Sequence, residues 1–188
     1  AASIQLARLG ATVVMACRSE QRGAQALEEV RKAASSDRVE MMQVDLSSQA
    51  SIRQFAAEVQ QRHPRLDVLI HNAANFDLAL KRPVLTAEGV ETIFATNHVG
   101  IFLLTHLLLD LLKASAPSRI ITVASKGLNL YPNLDIEFDN LNGEQKYSPQ
   151  HAYYHSKLAQ VMYTYDLAER LQGTGVTVNC IRVTNVAL

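Results

Sequence analysis

Apolar runs alternate with segments of helical periodicity along almost the whole chain. Between residues 52 and 59, apolar side chains recur at i, i+3, i+4 and i+7, which defines one buried helical face. Short apolar runs bounded by polar or glycine-containing stretches have the length of buried strands. The pattern predicts strands at 11–17, 39–44, 66–71, 120–124 and 176–183, and helices at 1–10, 21–34, 52–59, from about 87 to 114, and at 151–171.

This order of elements predicts an α/β fold. Alternating strands and helices indicate a Rossmann-like, doubly wound parallel sheet with helices on both faces. No linker or internal repeat interrupts the pattern, so residues 1–188 are interpreted as a single domain. Residues 1–10 have the pattern of the end of a helix. We therefore expect that a central first strand, and also a last strand after Leu188, are missing from this sequence.

Composition narrows the classes of function. The chain has 18 Lys+Arg and 18 Asp+Glu, so it offers no basic face for a nucleic acid. Cys17 and Cys180 each lie in an apolar run and are expected to be buried free thiols. Val99–Leu112 is very apolar, but it is shorter than a membrane span and contains His106 and Asp110, so we expect a buried helix. With no signal peptide at the start, a cytoplasmic protein without a membrane segment is expected, although an anchor in a preceding segment stays open.

A tyrosine and a lysine on one predicted helix are the first candidates for chemistry. Tyr153 and Lys157 lie four residues apart and therefore share a helical face. A nearby ammonium lowers the pKa of a phenol, which makes tyrosine a usable general acid or base. Ser125 follows a predicted strand at its carboxyl end, where ligands bind in open parallel sheets. Its hydroxyl could stabilise negative charge on a carbonyl oxygen, or it could simply cap local backbone.

The same helix also contains a histidine pair. His151 and His155 are spaced i, i+4 and could share a zinc ion. No HExxH pattern and no third ligand accompany them, so no metal site is expected.

Four partial motifs, in one order, resemble the short-chain dehydrogenase/reductase family. Residues 152–159 resemble its AYxxSKLA active-site helix, and 71–74 resemble its NNAG stretch. Ser125 matches the family's serine, and Asn97 falls where the family has a helix asparagine. The long spacing from Ser125 to Tyr153, with the inserted segments 136–141 and 147–149, is similar to that of the subgroup of retinol dehydrogenases and the WW-domain oxidoreductase.

The resemblance implies an oxidoreductase that moves hydride between NADP(H) and a small hydrophobic alcohol or carbonyl compound. Tyr153 would be the acid/base, and Lys157 would tune it and bind the cofactor ribose. Ser125 would steady the substrate oxygen, and Asn97 would hold a water of the proton relay. In this family the inserted segments help to shape the substrate pocket, and relatives often form homodimers through their long helices.

The resemblance also assigns cofactor contacts. NAD-selective members have a carboxylate at the end of the strand that 11–17 matches, whereas this chain has Arg18, whose guanidinium favours the 2′-phosphate of NADP. Asp45 and Leu46 match the adenine-contacting position. Asn72 and Ala73 are implied to contact the cofactor, together with Tyr153 and Lys157.

Two departures from the family pattern leave alternatives open. The TGxxxGxG turn that binds the cofactor pyrophosphate is absent, and residues 1–10 resemble the sequence that follows it. Val183 and Thr184 stand where relatives have a Pro-Gly turn. A catalytically silent relative that binds a nucleotide or a partner is therefore the alternative. A sugar-nucleotide epimerase also uses Tyr-x-x-x-Lys, but the SKLA context and the insertion argue against it.

Overall fold

The computed structural model describes residues 2–183, and inter-strand hydrogen bonds define two separate parallel sheets. The chain divides into two compact units, residues 1–45 and 46–188. The interpretation of 1–188 as a single domain stays a prediction.

The first unit contains a two-stranded parallel sheet. Its strands, β1 Val13–Cys17 and β2 Val39–Gln43, pair in register from Val13 opposite Val39 to Cys17 opposite Gln43. Ser19 caps the helix between them, because its side chain accepts a hydrogen bond from the backbone of Arg22. The elements of this unit are α1 Ala2–Arg8, β1 Val13–Cys17, α2 Glu20–Ala34 and β2 Val39–Gln43.

The second unit contains a three-stranded parallel sheet of β3 Val68–His71, β4 Ser118–Ser125 and β5 Val176–Val183, in the order β3-β4-β5. A π turn, Ala95–Val99, joins α4 Thr92–Phe94 to α5 Gly100–Ala114 in one continuous helix, and a 3-10 turn, Lys126–Leu130, follows β4. The parallel sheets flanked by helices confirm the predicted α/β class. The other elements are α3 Gln49–Arg62 and α6 Pro149–Arg170.

The core of the second unit is built where α5 and α6 pack on β4. Alternate residues of β4 are buried, as expected for a strand packed on one face. The apolar cluster contains side chains from both helices and two strands, at 0–8% exposure: Leu112, Ile120, Tyr163, Leu167, Leu171 and Val176. This cluster fixes β4 and the later turns of α6 against α5.

The long helix begins later than predicted. It starts at Thr92 and not near Ala87, and Glu91 caps it by accepting a hydrogen bond from the backbone of Phe94. Residues 86–90 form a turn instead, in which Gly89 has a φ of +77° that a helix does not accommodate. The Thr86 hydroxyl accepts hydrogen bonds from the backbone there, which stabilises the turn against the helix.

The helix Thr92–Ala114 is the one candidate membrane span in residues 2–183, by length and composition alone. Half of its most apolar window is buried inside the structure, and the predicted buried face is present, with Ile101, Leu104, Leu108 and Leu112 at 0–4% exposure. The core helix of a soluble protein has the same properties, so the helix is weak evidence for a membrane, and the absence of a membrane segment stays a prediction.

Both cysteines are free, as predicted, but neither is fully buried. Cys17 is the last residue of β1, and Cys180 lies in β5 at the edge of its sheet. A strand end and an edge strand cover a side chain less completely than a central strand, which explains the partial exposure.

Candidate active site

Ser125, Tyr153 and Lys157 converge at the carboxyl end of β4. Ser125 is the last residue of that strand, as predicted, and its hydroxyl accepts a hydrogen bond from the backbone of Gly127 at 3.1 Å. Tyr153 and Lys157 lie on the second and third turns of α6. Ser148 caps this helix and Pro149 occupies its first turn, which sets where the helix begins and so which residues face β4.

The Tyr153 side chain is half-buried beside Ser125. Burial raises the pKa of Tyr153, and a hydrogen bond with the Ser125 side chain partly opposes that rise. The ammonium of Lys157 lies 5.6 Å from the centre of the tyrosine ring. The expected lowering of the phenol pKa by Lys157 is therefore not what this structure shows: desolvation dominates, and the phenol is protonated at neutral pH.

Lys157 is almost completely buried, at 2% exposure. Its ammonium donates hydrogen bonds to the carbonyl of Val123 at 2.9 Å and to the side-chain oxygen of Gln160 at 3.1 Å. Burial lowers the pKa of Lys157 to about 8. An ammonium has three N–H donors, so two of them are directed into the protein and one is left for other partners.

Asn97 is fully buried in the π turn and joins three parts of the second unit. Its side-chain oxygen accepts from the backbone of Asn75 at 2.6 Å, and its amide donates to the Asn75 carbonyl and to the Ser156 hydroxyl, each at 3.0 Å. Ser156 in turn donates to the carbonyl of Tyr153 at 2.7 Å. Because π turns are often found at functional sites, this position fits the predicted role, but the relay water itself stays a prediction.

Sequence reasoning missed Gln160 and Phe76. Gln160 is fully buried, accepts from Lys157 and donates from its amide to the carbonyl of Asn97. A signal was available, because Gln160 lies three residues after Lys157 and is thus a polar residue on the same helical face. The ring of Phe76 lies 4.1 Å from the ring of Tyr153, centre to centre. No local pattern predicts a contact between a loop and a helix so far along the chain.

The predicted cofactor contacts fall in both units. In the first, Arg18 directly follows β1 and is exposed, with its carbonyl held by the Gln43 side chain at 3.1 Å, and Asp45 lies two residues after β2. In the second, Asn72 and Ala73 follow the end of β3 and are exposed. Exposed groups after the carboxyl ends of parallel strands are where a nucleotide binds in this fold class.

Leu46 opens the second unit and lies against the long helix. A Cβ at Gly100 would come within 2.1 Å of the Leu46 carbonyl oxygen, so only glycine allows this approach. The position of a predicted cofactor contact therefore depends on a glycine at the start of α5.

Hydrogen bonds hold the inserted segment between Ser125 and Tyr153 against neighbouring elements. The backbone of Glu137 donates to His155 at 2.9 Å, and Tyr147 donates to the buried carboxylate of Glu91 at 3.1 Å. The Asn140 side chain binds the backbone of Gln145 and Lys146. The segment is thus held in a defined conformation beside α6, and its role in shaping a substrate pocket stays a prediction.

The two histidine rings pack on each other, and the ring of His155 also accepts a hydrogen bond. The rings of His151 and His155 stack at 5.5 Å, and the Nε2 atom of His155 accepts from Glu137, which occupies a potential metal ligand. Across the described residues 2–183, no three His, Cys, Asp or Glu side chains are grouped so that they could hold a metal ion.

Comparison with known proteins shows the family. The family model for short chain dehydrogenases matches residues 1–134. Human retinol dehydrogenase 14 is 45% identical over 96% of this chain and 56% of its own length. Human retinol dehydrogenase 13 is 43% identical over 95% of this chain and 53% of its own length. The chain belongs to the short-chain dehydrogenase family, and within it to the retinol dehydrogenase-like subgroup.

Solved structures agree with this assignment. A crystal structure of a protein from Mycobacterium paratuberculosis superposes with a TM-score of 0.79 at 34% identity, covering 96% of this chain and 61% of that one. A metagenomic short-chain oxidoreductase in complex with NADP gives a TM-score of 0.74 at 25% identity, covering 99% of this chain and 76% of that one. The resemblance and the Rossmann-like fold are therefore confirmed.

The chain spans about half the length of the curated relatives that it matches. Val183 is the last residue of β5, whereas Thr184, the second residue of the pair that replaces the Pro-Gly turn, lies outside the described residues. The consequence of that replacement stays a prediction.

Proposed function

We propose that this chain forms part of an NADP-dependent oxidoreductase that interconverts a carbonyl compound and an alcohol. The observation that supports this best is the grouping of Ser125, Tyr153 and Lys157 at the carboxyl end of β4, where Ser125 lies close enough to lower the pKa of Tyr153 and Lys157 is buried close by. Family membership supports an oxidoreductase, and this grouping supports the proposal that these three side chains carry the chemistry.

The side chains supply proton transfer and orientation. When bound, the cofactor supplies the hydride. Tyr153 donates its proton to the carbonyl oxygen during reduction, and accepts it back from the alcohol during oxidation. Because burial raises its pKa, the phenol is held in the protonated form that reduction requires. The Ser125 hydroxyl steadies the same oxygen, and the remaining N–H of Lys157 would bind the cofactor ribose.

Two observations support NADP(H) over NAD(H). Arg18 presents an exposed guanidinium directly after β1, and a guanidinium binds a phosphate bidentately. Among the solved relatives, the metagenomic oxidoreductase is in complex with NADP, and a short chain dehydrogenase from Escherichia coli CFT073 is in complex with NADPH.

The substrate is proposed to be a small hydrophobic alcohol or carbonyl compound. Phe76 remains 45% exposed although its ring packs on Tyr153, so it presents an apolar surface next to the proposed acid. The curated relatives are named as retinol dehydrogenases, which is consistent with an apolar substrate. A cytoplasmic location and a homodimer stay predictions.

The test replaces Tyr153 in the whole protein. NADPH oxidation is followed with a panel of aldehydes, ketones and retinoids, in the wild type, Tyr153→Phe and Tyr154→Phe. Loss of the proton donor is expected to lower kcat by a factor on the order of 10² to 10⁴. Tyr154→Phe removes the neighbouring phenol of the same helix and is expected to retain wild-type turnover.

Equal turnover by Tyr153→Phe and the wild type would contradict the proposed chemistry. Titration with NADPH and NADH in parallel tests the cofactor: tighter binding of NADPH is expected. NADPH binding without turnover of any carbonyl compound would favour the silent relative.

A further inference from the structure

Gln160 is the one fully buried amide that touches both Lys157 and Asn97 among the described residues. Its side-chain oxygen accepts from the Lys157 ammonium at 3.1 Å, and its amide donates to the Asn97 carbonyl. Burying an amide is costly unless its polar atoms are bonded, and here each end has a partner. The residue thus bridges α6 and the π turn.

Gln160 also restricts the direction of the lysine. Lys157 is held by two acceptors, the Val123 carbonyl in β4 and the Gln160 side chain in its own helix. Two fixed acceptors determine the position of the nitrogen and so the direction of the third N–H. Without Gln160, only the bond to Val123 would remain to hold a side chain with four rotatable bonds.

We propose that Gln160 is a positioning residue for the reaction proposed above: it directs the Lys157 ammonium by accepting one of its hydrogen bonds, and it is itself held in place by its bond to the Asn97 carbonyl. This inference rests on the proposed function for its catalytic consequence. The placement of Lys157 can be measured separately from turnover.

Three variants of the whole protein test this inference. Gln160→Leu removes both hydrogen bonds. Gln160→Asn keeps the amide but is one methylene shorter, so it can no longer span the distance from Lys157 to the Asn97 carbonyl. Thr164→Val is the control, because it deletes a buried hydroxyl one turn later whose bond goes to the Gln160 backbone at 2.8 Å and not to Lys157.

Two readouts separate positioning from simple stability. The first is the titration of Lys157, followed by NMR of protein labelled at the lysine Cε and assigned with Lys157→Arg. The second is the set of kcat, KM for NADPH and pH profile. For Gln160→Leu we expect the Lys157 titration to move to lower pH, because an acceptor that favours the ammonium is lost. We expect kcat to fall at least tenfold with a matching shift of the pH profile.

Gln160→Asn is expected to recover part of the loss, and Thr164→Val to leave both readouts within twofold of wild type. An unchanged Lys157 titration in both Gln160 variants would overturn the inference. So would a Gln160→Leu variant that loses stability but has the same pH profile of activity as the wild type. If the wild type turns over no carbonyl compound, the proposed function fails, while the lysine titration still decides whether Gln160 positions Lys157.

Discussion

The buried Lys157 ammonium predicts how the stability of the protein depends on pH. Its folded-state pKa is about 8, against an ordinary value of 10.5, because burial disfavours the charged form. Between these two values the unfolded chain binds more protons than the folded one. Stability therefore rises with pH through this window: the cost of burying the charge is fully present below about pH 8 and disappears above about pH 10.5.

The magnitude follows from the shift. A pKa that falls from 10.5 to about 8 corresponds to roughly 3 kcal/mol at neutral pH, at about 1.36 kcal/mol per unit. Raising the pH from 7 to 9.5 should relieve about 2 kcal/mol of that cost. Lys157 is 2% exposed, so solvent screening removes little of the effect.

The assay is urea unfolding of the wild type and Lys157→Met at several pH values between 7 and 9.5. The stability of the wild type relative to the variant should rise by about 2 kcal/mol over this range. An exposed lysine provides the control, and Lys126→Met should retain the wild-type dependence. A wild type and Lys157→Met whose stabilities change in parallel with pH would refute the reasoning, because it would mean that Lys157 titrates alike in the folded and unfolded chain.

Two further predictions concern nucleotide binding and packing. Gly100→Ala would place a Cβ 2.1 Å from the Leu46 carbonyl oxygen. The overpacking should cost about 3 kcal/mol, and the better helix propensity of alanine should return about 1 kcal/mol. We therefore expect the free energy of unfolding in urea to fall by about 2 kcal/mol. Gly23→Ala is its control, because the nearest atoms to its Cβ would be those of the Met41 side chain at 3.0 Å and the Cys17 Cβ at 3.1 Å, and it should cost less than Gly100→Ala. Equal losses in the two variants would contradict the clash at Gly100. Arg18→Ala should weaken NADPH binding by about 1.5–3 kcal/mol, roughly tenfold to a hundredfold in Kd, and leave NADH binding unchanged in a fluorescence titration. An equal loss of affinity for NADPH and NADH would show that Arg18 does not recognise the 2′-phosphate.

Much of the fold could be predicted from local patterns. The predicted strands and helices correspond to the observed ones, and the family model and retinol dehydrogenase relatives bear out the resemblance. The predicted start of the long helix was wrong, because hydrophobic periodicity carries no information on the positive φ of Gly89 or on the cap that Glu91 provides. A turn and a first helical turn have similar composition, and only backbone conformation separates them.

Spacing along the chain was sufficient to place Tyr153 and Lys157 on one helical face and Ser125 at a strand end, because these relations depend on the geometry of a single element. The pKa of Tyr153 went in the opposite direction to the one predicted, since burial depends on everything packed around the phenol. The contact of Gln160 with Asn97 joins residues 63 positions apart through a backbone carbonyl. Every residue carries such a carbonyl, so no sequence pattern marks this one, and only the packing of α6 against the π turn selects it.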